Sequence, residues 1–181
     1  MHAHLVEVFA RLDRAREDLR AAVDLVPREL RSRRPAADRW SVAEVIEHLS
    51  LAERRFCDRL RTAISEAQAS GLGEESEPRS PLPERVAVLL ADRVNRRMAP
   101  DFIQPKGEMD DAQAWAALEQ ARNDFRAMLA AADGLALGKV TSDHPVMGTL
   151  NAYQWVELVA GHEARHTEQV REVASHLART S

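Results

Sequence analysis

Near the end of the chain stands His162-Glu163-Ala164-Arg165-His166. Histidines at i and i+4 lie one turn apart on one face of a helix. Trp155, Val159, His162, His166, Val170, Val173 and Leu177 step by three or four, the stripe of an amphipathic helix. Two imidazoles therefore occupy positions where Leu or Val is expected. Inward polar groups are costly without partners. A metal ion is one such partner, and two histidines four apart are a common way to hold it. The third ligand must come from another helix, and His48 is the candidate. It falls between Val45 and Ala52 on a second stripe, Val42, Val45, Ile46, Leu49, Ala52, Phe56, Leu60 and Ile64. Three neutral imidazoles can hold a divalent metal and leave positions open for water or substrate, the arrangement of catalytic sites. Zn²⁺ and Ni²⁺ both suit imidazole. The competing reading is a metal-free bundle whose histidines satisfy one another and water.

The string also spells H-E-x-x-H, the zinc-protease signature. The wider pattern argues against a protease. Gln169 and Glu172 stand where a metzincin carries Gly and His, and only 15 residues follow His166 for a distant Glu ligand. No edge strand is evident to hold a peptide. Glu163 is accordingly expected on the solvent side of its helix.

These histidines need helices to position them. Residues 4 to about 26 read as a first helix ending at Pro27. Residues 27 to 40 are an Arg- and Pro-rich loop. Ser41 and Glu44 form a capping box that opens a second helix, expected to run to about Ser70, so the first role of Glu44 is structural. Trp40 is expected to pack beside that cap. Gly71 to Pro83 is a long polar connection. A short helix is expected over 84–98, through Val86, Leu89, Leu90, Val94 and Met98. Asp110 with Gln113, and Asn151 with Gln154, open the last two long helices by the same capping logic. The loop from Gly134 to Gly148 holds His144, expected to be structural, and no convincing β-strand. Long connections permit parallel neighbours, so the helices need not simply alternate in direction.

Composition bounds the rest. The chain has 181 residues, enough for one core, and the whole span 1–181 is expected to be one helical domain. It is rich in Ala, Leu, Arg and Glu, with seven Gly, which favours an all-α fold. The net charge is −4 with both signs interspersed, which argues against a nucleic-acid surface. Cys57 is the only cysteine, so no intrachain disulfide forms. It is expected to be a small, partly buried side chain. No signal segment or spanning apolar run is evident, so a cytoplasmic protein without membrane contact is expected.

Several motifs together carry a family resemblance. Trp40-Ser41-x-x-Glu44-x-x-x-His48-Leu49 is followed by His144-Pro145-x-x-Gly148-x-Leu150, Trp155 and His162-x-x-Arg165-His166-x-x-Gln169. Their order and spacing resemble the DinB/YfiT-like superfamily along nearly the whole chain. The resemblance implies a four-helix bundle of up-down-down-up topology, here with a short extra helix, and often a homodimer. It implies nickel or zinc held by His48, His162 and His166. It also implies thiol chemistry: relatives of established activity are largely transferases and isomerases that use low-molecular-weight thiols.

The expected function is a metal-dependent enzyme acting on a small-molecule substrate, as a thiol-dependent transferase or a hydrolase. The alternative is a non-catalytic, metal-binding or stress-associated bundle. No catalytic side chain is assigned. Glu44, Arg165 and Gln169 are candidates to support the ligands from behind, Glu44 only if its cap leaves it free.

Overall fold

The structure is a computed structural model that describes residues 1–76, 78–95 and 98–180. Four long helices make the frame: α1 (Ala3–Asp24), α2 (Val42–Ala69), α4 (Asp111–Ala131) and α5 (Ala152–Thr180). A short helix, α3 (Glu84–Ala91), lies between α2 and α4 in the chain. The three sequence-based caps are all present. Ser41 Oγ accepts the Glu44 amide and the Glu44 carboxylate accepts the Ser41 amide. Asp110 and Gln113, and Asn151 and Gln154, pair in the same reciprocal way.

The core divides into two apolar clusters, and their membership gives the helix directions. One joins the first half of α1, the second halves of α2 and α4, and the first half of α5. The other joins the second half of α1, the first halves of α2 and α4, and the end of α5. So α1 runs parallel to α5, α2 parallel to α4, and the two pairs run oppositely. This is a four-helix bundle of up-down-down-up topology.

Two expectations are corrected. The helix expected over 84–98 stops at Ala91, and its Arg96 and Arg97 lie outside the described residues. The Asp92 carboxylate accepts the amides of Val94 and Asn95, both at 3.1 Å. That local turn competes with continuing the helix. Val94 and Met98, expected on the buried stripe, stand exposed. The loop before α5 also holds strand structure. A hairpin pairs β1 (Thr141–His144) with β2 (Gly148–Asn151), antiparallel. Gly148 turns it with φ +74°, a conformation that favours glycine.

Short α3 packs across α5. Gly161 permits the approach, because a Cβ there would stand 2.7 Å from Leu90 Cδ1. Arg165 then donates to the carbonyl oxygens of Leu90 and Asp92 at the end of α3. None of the described helices is long and apolar enough to cross a membrane.

Candidate metal centre

Helix α2 brings His48, and α5 brings His162 and His166, to one place. One ring nitrogen from each lies within 4.8 Å of the others. The His48 and His162 Nε2 atoms are 3.4 Å apart. His48 is buried, and His166 is 9% exposed.

In two of the rings the other nitrogen is committed elsewhere, which decides their tautomers. His48 Nδ1 donates to the Ile103 carbonyl at 2.7 Å. His166 Nδ1 donates to Gln169 Oε1 at 2.8 Å. Both rings therefore present an unprotonated Nε2 to the shared centre. A ring fixed from behind in this way is the usual support of a metal-ligating histidine. Two nitrogens facing each other at 3.4 Å need a proton or a cation between them.

Burial keeps these rings neutral. It lowers the pKa of His48 and pushes that of His166 down to about 3, with the neighbouring His48 ring adding to the effect. His162 falls well below its ordinary value, first through burial and then through His166 and His48. Neutral imidazole is the form that binds a metal. The donor set thus fits a divalent transition metal in type, spacing and protonation.

The shifts carry a pH prediction. Each folded pKa lies below the unfolded value of about 6.5. Above that pH neither state is protonated, and the contribution to stability is complete. As pH falls below about 6.5 the unfolded chain takes up protons first, and stability drops. The urea midpoint of metal-free protein should decline between pH 7 and 5.5, and His166→Leu should flatten the decline. An equal decline in that variant would contradict the assignment.

The remaining candidates separate. Gln169 supports His166 directly. Arg165 ties α5 to the end of α3. Glu44 is not left free by its cap: the same carboxylate bonds Arg34 and the Ser41 amide. Burial works to raise the Glu44 pKa, but the bonds to Arg34 and Ser41 outweigh it and hold the carboxyl below the usual carboxylate range. His144 Nδ1 accepts the Val146 and Met147 amides inside the hairpin turn. Cys57 is buried in the apolar core, and burial pushes its thiol up to about 11.

Several residues at the site were not legible beforehand. Trp40 reaches past its cap, with its ring 4.9 Å from His48 and stacked 6.3 Å from His166. Glu47, buried beside His48, accepts the amides of Lys106 and Gly107 at 3.0 and 3.1 Å. It anchors the loop whose Ile103 carbonyl fixes His48. Glu163 is the clearest correction. It is not on the solvent side but 2% exposed, gripped by Arg16 and Arg122. It points away from the histidines, so the protease role of an H-E-x-x-H glutamate has no counterpart here.

The three histidines line a cleft of about 570 Å³. Trp40, Leu89, Met98, Pro100, Ile103 and Met147 supply apolar wall, and His144 also lines it. No further His, Cys, Asp or Glu joins the three among the described residues.

Comparison with known proteins agrees with this architecture. YuaE of Bacillus subtilis (strain 168), an uncharacterized protein, is 26% identical over 149 residues, covering 82% of this chain and 85% of that protein. The crystal structure of TT2238, a four-helix bundle protein, superposes with a TM-score of 0.57 at 20% identity, covering 93% of this chain and 98% of that one. It shares the fold. The sequence profile of the DinB superfamily matches residues 11–170, from α1 through both histidines of α5. The chain therefore belongs to the DinB superfamily.

Proposed function

We propose that this protein is a metal-dependent enzyme acting on a small molecule, with the metal on His48, His162 and His166. One observation carries the reading. Three neutral imidazoles converge at the wall of an open cleft, with no fourth protein ligand among the described residues. A closed structural site would carry a fourth side chain. A divalent cation there would supply Lewis acidity, making a water or a thiol nucleophilic near neutral pH. Zn²⁺ and Ni²⁺ both suit the donors.

The chain's own groups do the rest. Ile103 and Gln169 hold the rings of His48 and His166 in the binding tautomer. Trp40, Leu89, Ile103 and Met147 offer apolar surface to the body of a substrate. Because His144 Nδ1 accepts two backbone amides, its proton sits on Nε2. His144 lines the cleft, and a donor on it would suit an oxygen that gains negative charge during reaction. Thiol-dependent transfer and hydrolysis both fit this arrangement.

The test is turnover by zinc- or nickel-loaded protein of two model reactions. These are displacement of chloride from 1-chloro-2,4-dinitrobenzene by a thiol, and hydrolysis of p-nitrophenyl acetate. Activity that disappears with chelator and in His48→Ala supports the reading, and the preferred substrate picks the reaction. A loaded protein with no more activity than His48→Ala in either reaction contradicts it and favours the non-catalytic metal-binding alternative.

A further inference from the structure

Four charged side chains meet in the middle of the bundle, one from each long helix: Arg16 of α1, Glu53 of α2, Arg122 of α4 and Glu163 of α5. Their side chains are 8, 4, 5 and 2% exposed. Signs alternate around the group. Arg16 Nε donates to Glu163 Oε1 at 2.6 Å, and its Nη2 lies 3.6 Å from Glu53 Oε2. Arg122 donates to Glu53 at 2.5 and 3.2 Å and also to Glu163. The Arg122 guanidinium reaches the Leu12 carbonyl as well, at 3.1 Å. Two guanidiniums and two carboxylates balance, with Glu119 bonding Arg16 at the rim.

Stability alone does not account for this group. Desolvating four charges cancels most of their attraction, and apolar residues of similar size are often as stabilising. The best-attested use of buried polar groups is to fix register between helices. The need for such a device is visible here, because the quartet separates the two apolar clusters. Those clusters are built largely from Ala, Leu and Val, whose contacts are non-directional. A one-turn slide of α5, about 5.4 Å, would keep much apolar contact but tear Glu163 from both guanidiniums. The same slide would carry His162 and His166 away from His48.

We propose that this quartet is the register lock that brings His48 of α2 to His162 and His166 of α5. Glu163 lies between the two histidines of α5, and Glu53 lies five residues beyond His48 on α2. Locking these two carboxylates through shared guanidiniums sets how the α5 pair faces the α2 histidine. The quartet side chains bond to one another and to none of the three histidines, so they act through the helices, as positioning residues. The inference rests on the three-histidine metal reading for its consequence, but the lock itself is measurable without metal.

Two readouts test it. The first is cobalt(II) affinity and the visible cobalt spectrum. The second is the distance distribution between spin labels at Arg54→Cys on α2 and Ala164→Cys on α5, in metal-free protein with Cys57→Ser. The variant combines Arg16→Met, Glu53→Leu, Arg122→Met and Glu163→Leu. It is expected to stay helical, to broaden or shift the label distance, and to bind cobalt at least about tenfold more weakly with an altered spectrum. Leu129→Ala, a core truncation away from the quartet, should lower stability with the cobalt spectrum unchanged. Glu163→Gln carries the same test should the fourfold variant not unfold cooperatively. A native label distance in a folded variant would overturn the lock, and so would unchanged cobalt affinity and spectrum. If native protein binds no cobalt while the variant still shifts the label distance, the lock stands and the metal reading fails.

Discussion

His166→Ala is expected to lower affinity for a divalent transition metal roughly a hundredfold while leaving the fold intact. Four-ligand structural zinc sites bind with about 10–16 kcal/mol, or about 3 kcal/mol per ligand. Losing one of three ligands should cost at least that much. The metal-free fold should change little, because alanine removes a buried polar ring whose remaining partner, Gln169, lies near the cleft and can meet water. Gln169→Ala should act in the same direction more weakly, about tenfold, by releasing the tautomer. Competition against a chromophoric chelator, with circular dichroism alongside, reads both effects. Equal zinc affinity in native and His166→Ala protein would contradict the ligand assignment.

Arg122→Ala is expected to have the largest effect on stability, a loss of about 3–5 kcal/mol. The side chain itself contributes little net energy. The loss arises because Glu53 and Glu163 remain buried, with one guanidinium to share where two stood. Burial works to lower the Arg122 pKa, but the carboxylates of Glu163 and Glu53 beside it outweigh that and raise it above the ordinary guanidinium value. For a chain of this length the loss corresponds to a drop in Tm of roughly 10 °C. Urea unfolding gives the value directly. A loss below about 1 kcal/mol would mean that water reaches the two glutamates and that the quartet is not the closed group described above.

The helices and the convergence of the three histidines were legible for one reason: both follow from periodicity. Val45, His48 and Ala52 on α2, and Val159, His162, His166 and Val170 on α5, share the 3.6-residue repeat of buried faces. The caps were legible because a capping box is local, with both partners three residues apart. What was missed lacks local signals. Glu163 reads as a surface residue because its partners Arg16 and Arg122 are 147 and 41 residues away. Helix α5 also buries more than one stripe, since it packs against α1, α2 and α3. The support of His48 comes from the carbonyl of Ile103, and a backbone group leaves no trace in side-chain pattern. The hairpin has strands of four residues, and Thr141-Ser142-Asp143-His144 carries no apolar alternation. The stop of α3 at Ala91 rests on the Asp92 side chain against a periodic pattern that continues to Met98.

The central claim is that His48, His162 and His166 hold a metal. Elemental analysis of protein purified without an affinity tag tests it most directly. About one equivalent of zinc or nickel per chain, kept through desalting and removed by a strong chelator, is the expected result. Protein that carries no transition metal, and takes up neither zinc nor nickel when both are supplied, would contradict the account and leave a hydrogen-bonded histidine cluster beside the cleft.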